Sequence, residues 1–112
     1  MTAHTVNNDT LTVLFRGEID HHCASSLSAD ADALIRKYKP STLILDFGGV
    51  TFCDSSGIAL VLGRYKLMKN ANGRTVLASL PAHVRKIFTL ASLEKFVEIK
   101  NTGKDEKNVP CK

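Results

Sequence analysis

The run Leu43-Ile44-Leu45, inside Ser41 to Phe47, constrains the fold more than any other stretch. It has the length and branching of a strand but no alternation of apolar and polar residues. That pattern belongs to a strand covered on both faces at the centre of a sheet. Gly48-Gly49 reads as a flexible corner after it, followed by Val50, Phe52 and Cys53-Asp54-Ser55-Ser56-Gly57. A helical stripe then begins at once, carried by Ile58, Val61, Leu62, Tyr65 and Met68. A strand feeding directly into a helix is half of a crossover, so parallel pairing is expected.

The rest of the chain repeats this grammar. His4 to Asn7 and Leu11 to Arg16 read as strands joined at Asn8-Asp9, a hairpin signal. Gly17-Glu18-Ile19-Asp20 is expected to break the second strand. Ala24, Leu27, Ala31, Leu34, Ile35 and Tyr38 recur at spacings of three and four, which predicts a helix over about His22 to Tyr38. Asp20 is a suitable cap, Arg36, Lys37 and Lys39 suit the far end of the dipole, and Pro40 stops the helix. Gly63 inside the next helix suggests close packing, and Gly73 beyond it a left-handed cap. Arg64 and Lys66 read as exposed helix charges. Thr75 to Ser79 gives another strand, Pro81 opens a short helix with Val84, Ile87 and Phe88, and Phe96, Val97 and Ile99 make a last strand. The order is β-β-α-β-α-β-α-β. It predicts a small single α/β domain over residues 1–100, a mixed central sheet with three helices. Residues 101–112 are polar and charged and are expected to form a flexible C-terminal tail.

Several function classes fall away. No stretch approaches the roughly 20 apolar residues of a membrane span. Met1-Thr2-Ala3-His4 lacks the basic-then-apolar pattern of a secretory signal, so a cytoplasmic location is expected. Cys23, Cys53 and Cys111 form no C-x-x-C pair, and free thiols are expected. The net charge of +4 comes from scattered bases without interleaved aromatics, which disfavours nucleic-acid binding. His21 and His22 are adjacent and lack a third ligand, so no metal is expected. No apolar stripe demands a dimer, and a monomer is expected.

Chemistry concentrates at Ser55 and Ser56, where free backbone N–H groups and a positive dipole end favour an added anion. Three readings compete. Asp54, Ser55 or Ser56 can cap the helix by accepting a hydrogen bond from the next N–H groups, worth about 1 kcal/mol. Ser55 can be a hydrolytic nucleophile, but the G-x-S-x-G elbow is absent and no motif ties His21, His22 or His83 to the serine. It can accept a phosphate, which brings about −1.5 to −2 charges beside Asp54, and beside Asp20 if the first helix starts alongside.

Gly17-Glu18-Ile19-Asp20-His21-His22, Phe52-Cys53-Asp54-Ser55-Ser56-Gly57-Ile58 and Gly63-Arg64-Tyr65-Lys66 together resemble the anti-sigma factor antagonists of the STAS superfamily, nearest to its sporulation branch. The likeness runs from about Val6 to Ile99. It implies a regulatory protein, not an enzyme, that controls a sigma factor by switching partners. On that resemblance, the unmodified form binds an anti-sigma factor that is also an ATP-dependent serine kinase. The kinase phosphorylates Ser55, the product lets go, and a serine phosphatase resets it. Asp20, Asp54, Ser56 and Gly57 would surround the phosphosite. Asp20, His21, Ser55, Ser56, Gly57 and Ile58 would meet the kinase. ATP would belong to the partner, since this chain has no G-x-x-x-x-G-K-[ST] loop and no cofactor of its own. A STAS module serving a general stress-response sigma factor is the alternative within the fold, and a serine hydrolase the alternative outside it. Gly48-Gly49, Leu80 and Ser92 depart from the pattern, away from the phosphosite.

Overall fold

The computed structural model describes residues 2–100; the expected tail and Cys111 lie outside the described residues. Strands β1 (Thr2–Asn7) and β2 (Thr10–Ile19) form an antiparallel hairpin, with Thr2 opposite Phe15 and Asn7 opposite Thr10. Asn8 takes the left-handed conformation at its turn, φ 57°, which asparagine tolerates better than most residues. Helix α1 (Ala24–Tyr38) leads to β3 (Thr42–Cys53), α2 (Ser56–Asn70) to β4 (Arg74–Ala78), and α3 (Ala82–Leu90) to β5 (Glu98–Lys100). A 3₁₀ turn, Leu93–Lys95, precedes β5. The sheet order is β1-β2-β3-β4-β5, antiparallel at the first pair and parallel at the rest.

That order explains where the core sits. Each crossover steps to the next strand in the same direction. Crossovers of one hand therefore stack all three helices on one face of the sheet. Leu11, Val13, Phe15, Leu43, Leu45, Phe47 and Leu77 point under the helices and are buried. Phe47 is the hinge of the packing, its ring 5.3 Å from those of both Phe15 and Phe88. The apolar run of β3 is central, as expected, yet only one of its faces is covered: Ile44 and Asp46 are only half-buried. The run reflects a β-branched residue on an open face, not a second helical layer.

Two expected breaks are continuous strand. β2 passes through Gly17, at φ 81°, to Ile19, and β3 passes through Gly48-Gly49 to Cys53. The two extensions pair with each other, through register shifts between Leu14 and Arg16 and between Gly17 and Glu18. The glycines accommodate bulges here: a Cβ on Gly49 would lie 3.0 Å from Arg16 Cγ.

Smaller differences have equally local causes. Asn72, not Gly73, takes the left-handed position after α2, φ 61°; Gly73 instead lets the chain pass close to Ser41, whose carbonyl oxygen would be 3.1 Å from an added Cβ. Nothing crowds Gly63. Phe96 and Val97 precede β5 instead of belonging to it. Ser92 holds the left-handed φ of 59° just past the third helix. Arg64 is buried between α2 and α1, its Nε 2.8 Å from Asp32 Oδ1. The N–H is poorly aligned for a hydrogen bond, so the contact is chiefly ionic. Burial lowers the Arg64 pKa, and Asp32 partly offsets that shift.

Candidate functional site

The site lies where β2 and β3 end side by side. Ile19 pairs with Cys53, and the N–H of Asp54 donates to the Ile19 carbonyl at 3.1 Å. Asp20 and Asp54 therefore leave the sheet as neighbours at its carboxyl edge, where crossovers leave loops free for binding.

Asp20 folds the loop that follows it. Its carboxylate accepts the N–H groups of His22 at 3.0 Å and Cys23 at 2.9 Å, and its carbonyl accepts those of Cys23 and Ala24. It thus caps the turn that enters α1, the role expected of it. The Cys23 backbone N–H, then the Cys23 side chain, hold its carboxyl below the usual range. His21 and His22 sit exposed on this turn with rings 5.8 Å apart.

Asp54 does the same for α2. Its carboxylate accepts the Ser56 N–H at 2.8 Å, and its carbonyl accepts the Gly57 N–H at 3.0 Å. Ser55 holds the N-cap position but makes no capping hydrogen bond with its side chain. Its residue is exposed. The two roles that sequence left open for one hydroxyl are thus divided between neighbours: the carboxylate caps, and the Ser55 hydroxyl stays free at the mouth of a fifteen-residue helix. Among the described residues, no histidine is hydrogen-bonded to it.

Ser56 and Ile58 are half-buried beside it. Gly57 is buried, contrary to its expected place at the partner surface. Its hydrogen lies over Cys53 Sγ, where a Cβ would collide, and a Cβ would also come 3.5 Å from Phe88. Its contribution is to let α2 start directly on the core. Cys53 beneath it is a buried free thiol, pushed up to about 11 chiefly by burial and secondly by Asp54. Among the described residues, no three His, Cys, Asp or Glu side chains gather to hold a metal.

Comparison with known proteins accords with this layout. The STAS domain family model matches residues 2–106. An anti-sigma F factor antagonist of Lysinibacillus sphaericus is 35% identical over 88 residues, 79% of this chain and 75% of the relative. The chain belongs to the STAS family of anti-sigma factor antagonists. Among solved structures, the anti-sigma factor antagonist SpoIIAA in its unphosphorylated form superposes with a TM-score of 0.76 at 29% identity, covering 98% of this chain and 96% of that one. The Bacillus cell fate determinant SpoIIAA in the phosphorylated form gives 0.71 at 27% identity, covering 100% of both. This STAS chain thus shares its fold with a regulator that exists in both states. No helix among the described residues is long and apolar enough to cross a membrane.

Sequence reasoning missed one feature of the site. Phe52, two residues before Asp54, is 48% exposed. Its only signal is position: with Val50 and Cys53 turned inward around a bulge, the two residues between them, Thr51 and Phe52, are both exposed.

Proposed function

We propose that this STAS chain is a phosphorylation-controlled antagonist of an anti-sigma factor that is itself a serine kinase. The unmodified chain binds that kinase and so frees a sigma factor. The kinase transfers the γ-phosphoryl group of its own ATP to the Ser55 hydroxyl, breaking the bond to ADP and releasing the serine proton. The phosphorylated chain dissociates, and a serine phosphatase hydrolyses the ester to restore it. The chain works in the cytoplasm as a monomer, without a cofactor and without catalysis of its own. The observation that carries this reading is the free, exposed Ser55 hydroxyl beside a cap supplied by Asp54.

The same geometry gives the switch its force. The new phosphate stands against the ADP left in the kinase, and it is this repulsion across the interface, not that from Asp54 and Asp20 in the same chain, that weakens binding. Two unit charges about 4 Å apart near a protein surface repel by roughly 4 kcal/mol. Even a third of that changes a binding constant about tenfold. Electrostatics of this size favours parting of the two proteins without unfolding either.

Incubation with the kinase and ATP should add one phosphoryl group, located at Ser55 by mass spectrometry. Ser56→Ala should still accept it and Ser55→Ala should not. A Ser55→Ala chain that is still modified once would falsify the assignment. Ser55→Asp should bind the kinase several-fold more weakly with an unchanged circular dichroism spectrum.

A further inference from the structure

The carboxyl ends of β2 and β3 project beyond the rest of the sheet. Described pairing with β1 ends at Phe15 and pairing with β4 ends at Asp46. Beyond these points, among the described residues, Arg16–Ile19 and Gly49–Cys53 pair only with each other, as a two-stranded parallel ribbon. One face of the ribbon lies under the helices, where Ile19 and Cys53 are a buried pair. The opposite face carries the next pair, Glu18 and Phe52, both exposed. Of the five phenylalanines, four have an aromatic neighbour, and Phe52 has none among the described residues.

We infer that Phe52 is an anchor by which the anti-sigma factor kinase grips this chain. The inference rests on the proposed function, and extends its docking surface from the helix mouth onto the helix-free face of the ribbon. Phe52 is three residues from Ser55, within about 10 Å along a strand. A standard protein interface covers about 800 Å² on each partner, a disc of roughly 16 Å radius. A disc of that size centred on Ser55 takes in the ribbon tip as well. A half-exposed aromatic ring there loses apolar surface to the partner, and phenylalanine is among the side chains enriched at the buried centres of protein interfaces. The occupant is an apolar pocket on the kinase, edged by a basic group opposite Glu18, which stands beside Phe52 in register. This contact is made with the unmodified chain and does not depend on phosphate.

The test uses the full chain and purified anti-sigma F factor from Lysinibacillus sphaericus with ADP, measured by calorimetry. Phe52→Ala should weaken binding at least tenfold. Val6→Ala is the matched control, because Val6 is 44% exposed but lies in β1 opposite Leu11, at the far end of β2. It should change affinity by less than twofold. With ATP, Phe52→Ala should raise KM for Ser55 phosphorylation while leaving kcat nearly unchanged, the mark of lost ground-state binding. In the parent complex, backbone amides of residues 49–53 should exchange more slowly than in the free chain. Equal affinities for Phe52→Ala and parent, or unprotected ribbon amides in a formed complex, overturn the inference and leave the proposed function standing. Failure of the parent chain itself to bind or to be phosphorylated counts against the proposed function instead.

Discussion

Replacing Gly57 by alanine tests whether α2 is seated by its contact with Cys53. The added methyl group would overlap Cys53 Sγ and lie 3.5 Å from Phe88 Cε1. Neither neighbour can swing into solvent, since Cys53 is 3% exposed and Phe88 fully buried. Overpacking of this kind costs about 1–3 kcal/mol. Alanine in place of glycine returns up to about 1 kcal/mol of helix propensity, less in a first turn. The net loss should be about 1–2 kcal/mol, or roughly 4–8 °C in melting temperature for a domain near this size. Cys53→Ala alone should lose on the order of 1 kcal/mol by removing a buried sulfur. In the double variant the methyl group occupies the space the sulfur vacates. The Gly57→Ala penalty should then vanish, a coupling of about 1–2 kcal/mol. Urea denaturation of the parent and three variants, followed by circular dichroism, measures the cycle. Additivity within about 0.5 kcal/mol would show that the helix start does not rest on Cys53, and the argument for a glycine at this position would fall.

The buried pair between α1 and α2 gives a second cycle. Arg64→Met should destabilise by about 2–4 kcal/mol because Asp32 is left with a charge it cannot fully hydrate, and adding Asp32→Leu should recover most of that loss; a double variant as unstable as Arg64→Met contradicts the ionic account. Asp20 predicts a pH dependence. Its pKa is lowered in the folded chain from 3.8, so its contribution is complete above that value and is lost as pH falls through the lower folded value. Denaturation midpoints measured from pH 5 downward should fall less steeply for Asp20→Asn than for the parent, and identical acid limbs count against the Asp20 turn as a stabilising element.

The parts of this fold that sequence made legible are those where a local pattern and its environment agree. The stripes of α1 and α2, the strand before each, and the Asn8 turn all follow from spacing and turn chemistry. The ribbon was illegible because glycine has two meanings. Gly17 and Gly48-Gly49 look like punctuation in one dimension, and only the partner strand shows that they are bulges in continuous pairing. Ile44 misled for a related reason: a β-branched residue on an open face has the same letter as one under a helix. Arg64 looked solvated because nothing in its own helix indicates that Asp32 stands opposite. At the site, the family resemblance put Asp20 beside Ser55, and the residues alone left that open until Ile19 was seen to pair with Cys53. The division of labour between Asp54 and Ser55 was not, because either side chain is a competent cap.

That division bears on how the proposed switch can work at all. Had the Ser55 hydroxyl capped α2, esterifying it would have removed a donor-acceptor group worth about 1 kcal/mol from the helix start and coupled modification to unravelling. With the carboxylate of Asp54 holding the Ser56 N–H, the hydroxyl can gain or lose phosphate while the first turn of α2 keeps its hydrogen bonds. The chemical difference between the two states is then confined to charge and volume at the surface. A switch so confined is reversible at low conformational cost. It follows that Asp54→Ala should blur it: with the carboxylate gone, Ser55 becomes the nearest available cap, and phosphorylation and helix stability become linked. Melting temperatures of the unmodified and phosphorylated chains should agree within a few degrees in the parent and diverge in Asp54→Ala. Equal gaps in both would mean that the cap and the switch are not separated by residue as the geometry indicates.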